Sequence, residues 1–229
     1  MKSYPKLLMV VCSLVIGQRS AAQTVNWGDT MFSDLVNSKG QALDSSYTVE
    51  IGAFASNFVP DQSNVTQWSS YWRGFDGTTI NGIETPVDDG ITGYFTSSVQ
   101  MQAGGTSSNS AYPSLGLNFQ DLQAYMWIRK GTDAQPGSEW LLARASTWTF
   151  PTYQGCCSNN PPTEWSVSDL AAENVVPVFG KQGDLAGAGT ATDTGTHTLQ
   201  TFTFVPEPSA ALLVVFGGLC LVLRRRRHS

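Results

Sequence analysis

The chain is poor in the residues that most catalytic and metal-binding folds require. Of its 229 residues, four are cysteine and two are histidine. Cys12 and Cys220 sit in apolar runs near the two ends, so the body holds only the neighbours Cys156 and Cys157 and the single histidine His197. Adjacent cysteines cannot make a long-range disulfide framework within one chain. Zinc chemistry lacks its ligands, because neither a His-Glu-x-x-His helix nor paired Cys-x-x-Cys turns are present. A Ser-His-Asp triad would have to use His197, and no Gly-x-Ser-x-Gly turn offers a nucleophile for it. Glycine loops for phosphates or dinucleotides are missing, as is any repeat of solenoid period. No catalytic, cofactor-binding or metal-binding residue is assigned on these grounds.

Positive charge is scarce too. Between residues 23 and 205, six basic side chains stand against seventeen acidic ones, a balance of −11. Such a surface repels nucleic acid and anionic lipid, so no nucleic-acid partner is expected. It suits solubility, or divalent cations. Calcium is weighed at Asp88-Asp89-Gly90 and at Asp76-Gly77, but neither fits the twelve-residue calcium loop and turn formation alone explains Asp-Gly pairs. No cofactor is therefore expected.

The basic residues that exist cluster at the ends, where the sequence reads as an address. Lys2 and Lys6 precede the apolar run Leu7 to Ile16, and Ser20-Ala21-Ala22 supplies small residues before Gln23. This is the layout of a signal peptide over residues 1–22. The residues before Cys12, Met9-Val10-Val11, lack the small pair of a lipoprotein signal. At the other end stand Pro206-Glu207-Pro208-Ser209, a mostly apolar segment over 210–223, and Arg224-Arg225-Arg226-Arg227 within a basic tail, 224–229. Fourteen helical residues span about 21 Å against a hydrocarbon core of about 30 Å, so a transmembrane helix here needs its arginines to snorkel to the headgroups. Arginines held in the cytoplasm place everything before Pro206 outside.

That order of Pro-Glu-Pro motif, apolar segment and arginine cluster resembles the PEP-CTERM sorting signal of Gram-negative bacteria, also called the ice-binding protein C-terminal domain. The match covers about a tenth of the chain. The resemblance implies export through the inner membrane, transient anchoring there, and processing near Pro206, Glu207 and Pro208 by an exosortase-type enzyme in bacteria that make exopolysaccharide. The body is similar to uncharacterised PEP-CTERM cargo domains in Tyr47 to Phe54, Trp68 to Trp72, Ala124 to Ile128, Ser138 to Leu142, Cys156-Cys157 with Pro162 to Ser166, and Leu199 to Val205. These segments bring no known activity or site residue with them.

Residues 23–205 are long enough for one domain with its own core. Tyr47 to Phe54 alternates, and so does Leu122 to Arg129, with Leu122, Ala124, Met126 and Ile128 opposing Gln123, Tyr125, Trp127 and Arg129. Further strands are expected at Tyr94 to Met101, Trp140 to Ala145, Thr147 to Phe150, Glu164 to Val167, Val175 to Phe179 and Leu199 to Val205. Short strands bounded by Gly, Pro, Asn and Asp clusters predict an all-β domain, a β-sandwich or jelly roll. One short helix is expected between Asn64 and Phe75, where Trp68, Tyr71, Trp72 and Phe75 fall at helical spacing and Asn64 and Gln67 are placed as a capping pair. Its aromatic stripe is read as core packing. Ala103 to Pro113 has the composition of a flexible loop between strands, and Gly180 to Thr196, without apolar periodicity, reads as either a long surface loop or a polar strand pair.

Three readings of function follow. A glycoside hydrolase needs two carboxylates about 5–10 Å apart, and Glu50, Glu84, Glu139 and Glu164 lie near expected strands, where solvent-facing positions are the simpler account. Alternating Thr190, Thr192, Thr194, Thr196 and Thr198 offers one threonine row, whereas ice binding calls for an array across several strands. The seven tryptophans suit carbohydrate stacking, with Trp127 the best candidate for an exposed one. Cys156 and Cys157 can close a vicinal ring, stay reduced or pair with another molecule, and the ring, as a loop stiffener, is the expectation. The expected function is an exported cell-surface or extracellular-matrix protein with a structural, adhesive or glycan-binding β-domain, not an enzyme. Exopolysaccharide is its expected partner, and a secreted carbohydrate-active enzyme is the alternative.

Overall fold

The computed structural model describes residues 23–29, 35–55, 57–80, 95–154, 160–172, 177–182 and 199–204. Residues 1–22, the tail 206–229 with its sorting motif and arginines, Cys156 and Cys157, Glu84, Asp88-Asp89-Gly90, the threonine row and His197 lie outside them. Among the described residues no helix is long and apolar enough to cross a membrane.

The described chain is mostly β-strand. In chain order its strands are β1 (Gln23–Gly28), β2 (Leu35–Val36), β3 (Thr48–Phe54), β4 (Trp72–Thr79), β5 (Thr96–Gln102), β6 (Thr106–Ser107), β7 (Tyr125–Lys130), β8 (Glu139–Ala143), β9 (Thr163–Ser166), β10 (Lys181–Gln182), β11 (Leu199–Gln200) and β12 (Phe202–Thr203). They form a five-stranded sheet in the order β12-β8-β7-β3-β4, a four-stranded sheet β6-β5-β1-β9 and a small sheet β10-β11-β2. Neighbours run antiparallel except β1 with β9 and β2 with β11.

Alternation sorts the side chains of the five-stranded sheet onto two faces. Val49, Ile51 and Ala53 of β3, Met126 and Ile128 of β7 and Leu141 of β8 join Val25, Trp27, Val99 and Met101 of the four-stranded sheet in one buried cluster. The opposite face carries Phe54, Trp72, Tyr125, Trp127, Trp140, Leu142 and Phe202, and it too is buried. What covers it is the segment after β3. Asp61 caps a 3-10 turn, Gln62–Gln67, through a capping box with Asn64, and a single α turn, α1 (Trp68–Tyr71), follows. Val65 and Trp68 hang from this segment onto the sheet, with Trp68 packed 6.0 Å from Trp127 and 6.2 Å from Trp140 between ring centroids.

The helix expected over 64–75 is therefore displaced. It begins three residues earlier, with Asp61 rather than Asn64 as its cap, and it stops at Tyr71. Trp72 and Phe75 lie on β4 instead and bury toward opposite faces. A bulge explains the second placement, because the register runs from Ile51↔Asp76 to Gly52↔Gly74 and leaves Phe75 as the extra residue. Phe75 and Asp76 both turn to the inter-sheet side as a result.

Other expectations shift in the same local way. Residues 147–150 make a turn with one isolated bridge, Gln123↔Thr149, rather than a strand. The single strand expected over 199–205 divides at Thr201, β11 joining the small sheet and β12 the large one. A six-residue helix, α2 (Val167–Ala172), has no counterpart among the expected elements. Residues 103–113 are not a loose loop. They turn through Gly104 and Gly105 into β6, and Asn109 then donates to Asp76 at 2.7 Å, which draws the chain over the edge strand β4. Gly74 and Gly77 leave room for the Tyr112 ring there, since a Cβ at Gly74 would come within 2.6 Å of its Cδ1.

Gly52 faces the same restriction from its own sheet. A Cβ there would overlap the Arg73 carbonyl oxygen and lie 2.7 Å from Trp72 Cζ2. Gly52→Ala should destabilise the domain by about 1–3 kcal/mol, read as a lower urea midpoint at unchanged slope.

Candidate functional site

Glu50 is the most chemically distinctive side chain on the described structure. It sits at the centre of β3 on the tryptophan-lined face, is 6% exposed, and is carried there by the same alternation that buries Ile51 on the other side. Its Oε1 accepts from Arg129 Nη2 at 2.7 Å, and its Oε2 accepts from the Trp72 indole at 2.8 Å. The Arg129 guanidinium lies 4.6 Å over the ring of Trp127. A carboxylate so deeply placed needs both donors, because a buried charge without partners costs several kcal/mol.

Tyr112 approaches this group from the loop over β4. Burial, then the charges of Glu50 and Asp76, push its phenol up to about 12, with Arg129 opposing. At neutral pH it is a protonated hydroxyl, able to donate or accept a hydrogen bond but not to act as a phenolate.

Two further carboxylates are built in on the opposite side of the sheet. Asp76 is 2% exposed and accepts from Trp27 Nε1 at 2.8 Å, Ser97 Oγ at 2.7 Å and Asn109 Nδ2 at 2.7 Å. Glu139 is half-buried and accepts from the Ser38 amide at 3.2 Å, Ser38 Oγ at 2.9 Å, Tyr47 Oη at 2.6 Å and Thr201 Oγ1 at 2.9 Å. Burial raises the Glu139 pKa, and the bonds from Tyr47, Ser38 and Thr201 together outweigh it, holding the carboxyl below its ordinary value. Burial, then the hydrogen bond and charge of Glu139, drive the Tyr47 phenol well above its own.

These acids do not converge. Glu50 faces the tryptophans, whereas Asp76 and Glu139 face the inter-sheet core. Asp76 on β4 and Glu139 on β8 are three strands apart, about 14 Å by strand spacing alone. The fourth candidate among the described acids, Glu164, is exposed on β9 and accepts from Asn26 Nδ2 at 2.8 Å. Glu50 and Glu139 thus correct the expectation of solvent-facing strand positions, while Glu164 meets it. Asp76-Gly77 corrects another, lying within β4 and not on a turn. The described residues contain no group of three or more His, Cys, Asp or Glu side chains arranged to hold a metal ion.

All seven tryptophans are buried, Trp127 completely. Sequence placed Trp127 opposite the Met126 and Ile128 face correctly and misjudged what lies there, because the cover comes from residues 61–71. The indoles serve as donors and packing instead. Trp27 donates to Asp76, Trp68 to Asn64, Trp72 to Glu50, Trp140 to the Gly131 carbonyl and Trp148 to Asp169. A shallow recess of about 550 Å³ opens between residues 60–63 and Pro177-Val178, but its carboxylate, Asp61, is engaged by the amide and hydroxyl of Ser63.

Comparison of the chain with family models, with curated proteins and with solved structures finds no match.

Glu50→Ala should cost about 3–5 kcal/mol in urea unfolding because it strands the Arg129 charge, whereas Glu164→Ala should stay within about 0.5 kcal/mol. Glu139 makes a pH-dependent contribution. Its folded pKa is depressed, so its stabilisation is present above the ordinary glutamate range and is lost as pH falls through the lowered folded value. The stability difference between the natural chain and Glu139→Gln should be about 1–2 kcal/mol at pH 7 and shrink below about pH 4. Thermal unfolding across that range checks it; a difference independent of pH would contradict it.

Proposed function

We propose that the chain is an exported cell-surface or extracellular-matrix protein whose β-domain is a structural, adhesive or glycan-binding component and not an enzyme. The observation that carries this reading is the commitment of polar chemistry to the fold: Glu50, Asp76 and Glu139 are held by indole, guanidinium, hydroxyl and amide donors. The delivery part rests on residues 1–22 and 206–229, read as a signal peptide and as a PEP-CTERM tail that anchors the precursor in the inner membrane until an exosortase-type enzyme processes it at Pro206-Glu207-Pro208. Side chains of the two larger sheets share one core, which supports a β-sandwich. The two parallel pairings argue against a regular jelly roll.

The alternative of a carbohydrate-active enzyme needs a second carboxylate within about 5–10 Å of Glu50 on its own side of the sheet, and Asp76 and Glu139 both turn away from it. Chain exposed to the producer's exopolysaccharide should leave the number of reducing ends unchanged, and a rise in reducing ends would establish hydrolysis.

Deleting residues 206–229 should move the protein from the membrane fraction to the medium. Equal membrane association of the deleted and full chains in cell fractionation would refute the sorting assignment.

A further inference from the structure

The outward face of the four-stranded sheet is unlike the rest of this acidic chain. Its outward positions are Thr24 and Asn26 on β1, alternate residues Thr96 to Gln102 on β5, Thr106 on β6, and Glu164 and Ser166 on β9. Glu164 is the one charged side chain in the four strands, although residues 23–205 carry a balance of −11. The inward positions, Val25, Trp27, Val99, Met101 and Trp165, are buried, so nearly every side chain left facing water is an uncharged amide or hydroxyl.

These groups are ordered in rows. The register sets Asn26 opposite Ser98 on one side and Glu164 on the other. Ser98 Oγ donates to Asn26 Oδ1 at 2.7 Å, and Asn26 Nδ2 donates to Glu164 Oε1 at 2.8 Å, a hydrogen-bonded row across three strands. Thr24 stands opposite Gln100 in the adjacent row, where the backbone amide and carbonyl of Gln100 are tied to Ser108 at 3.0 and 2.8 Å, leaving the Gln100 side chain exposed to water. The side chains of Ser98, Asn26 and Glu164, fixed by their mutual bonds, lose less conformational freedom when something binds to them.

We propose that this face is a docking surface for an uncharged polysaccharide. The inference rests on the matrix reading above and names the surface and the chemistry of its partner. A polyanion is repelled by the domain's charge, and a polycation meets a single carboxylate, Glu164, on this face. A protein partner would want an apolar or aromatic centre. The large apolar side chains that stand free among the described residues are Val59 and Leu115, neither of them on this sheet. A neutral polyhydroxyl chain instead needs donors and acceptors in equal supply, and Ser, Thr, Asn and Gln each offer both. Without a stacked ring each contact is weak, so retention arises from many contacts along one polymer chain.

The test uses the full chain in mild detergent, passed over insoluble cellulose and cross-linked dextran, with alginate beads as the anionic comparison. Two double variants accompany it: Ser98→Lys with Gln100→Lys on the proposed face, and Gln62→Lys with Gln67→Lys on the covering segment, where Gln62 lines the recess. All four positions are exposed, so thermal unfolding should match the natural chain. The expected result is retention of the natural chain on a neutral matrix and not on alginate, with at least a tenfold loss confined to the Ser98/Gln100 variant. Retention unchanged in that variant, or lost only in the Gln62/Gln67 variant, overturns the surface and leaves a glycan-binding matrix protein standing. No retention on either neutral matrix overturns the proposal itself, while fractionation of the tail deletion still decides the sorting reading independently.

Discussion

Burial of the five-stranded sheet on both of its faces is the constraint from which the rest of the structure follows. A sheet open to water on one side hydrates its polar side chains, but here the buried carboxylates of the sheet must find partners inside. Glu50 meets that demand with Arg129 and Trp72 on one face. Asp76 meets it on the other with donors from β1, β5 and the loop after β6, and in doing so joins the two larger sheets at one carboxylate. Tryptophan is used so heavily because an indole fills the space above a sheet and carries one donor with which to satisfy such an acid.

The consequence for function is a division of labour between surfaces. Reactive side chain types lie where they hold segments together, and the face left to water on the four-stranded sheet is chemically mild. A body built in this way resists change in its interior and leaves its exterior free for many weak contacts, which suits a component of an assembly outside the cell.

Alternation made β3 and β7 legible in the sequence, with their faces correctly divided, because period two survives whatever packs above the sheet. What alternation does not encode is which face is covered. Trp127 and Glu50 look like solvent-side residues in a strand pattern, and tertiary packing makes them core, with Trp68 laid on Trp127 and Tyr112 approaching Glu50 from the loop over β4. The stretch from Asn64 to Phe75 misleads for a related reason: aromatics at helical spacing arise here by chance from one helical turn followed by a bulged strand. Other local signals lie in the sequence. Ser166 and Asp169 have the spacing of a capping box, and the Ser166 amide does donate to Asp169 at 3.0 Å at the start of α2. The alternation of Gln23 to Gly28 was as regular as that of β3. The carboxylate partnerships had no signal at all, since Glu139 draws on Ser38, Tyr47 and Thr201, which only tertiary structure brings together.

The division of residues 199–204 between two sheets sets the order in which the domain is completed. β11 pairs with β2 and β10, β12 pairs with β8, and Thr201 between them reaches Glu139, so each of these partners precedes the segment in the chain. Until residue 204 has been synthesised, β8 lacks its pairing partners at Glu139 and Trp140, and Glu139 lacks one of its donors. Contacts of such long sequence separation form slowly, and a chain growing from its N-terminus cannot make them early. The domain closes last at the end made last, so a nascent chain is still incomplete, and still threadable, when most of it has emerged from the ribosome.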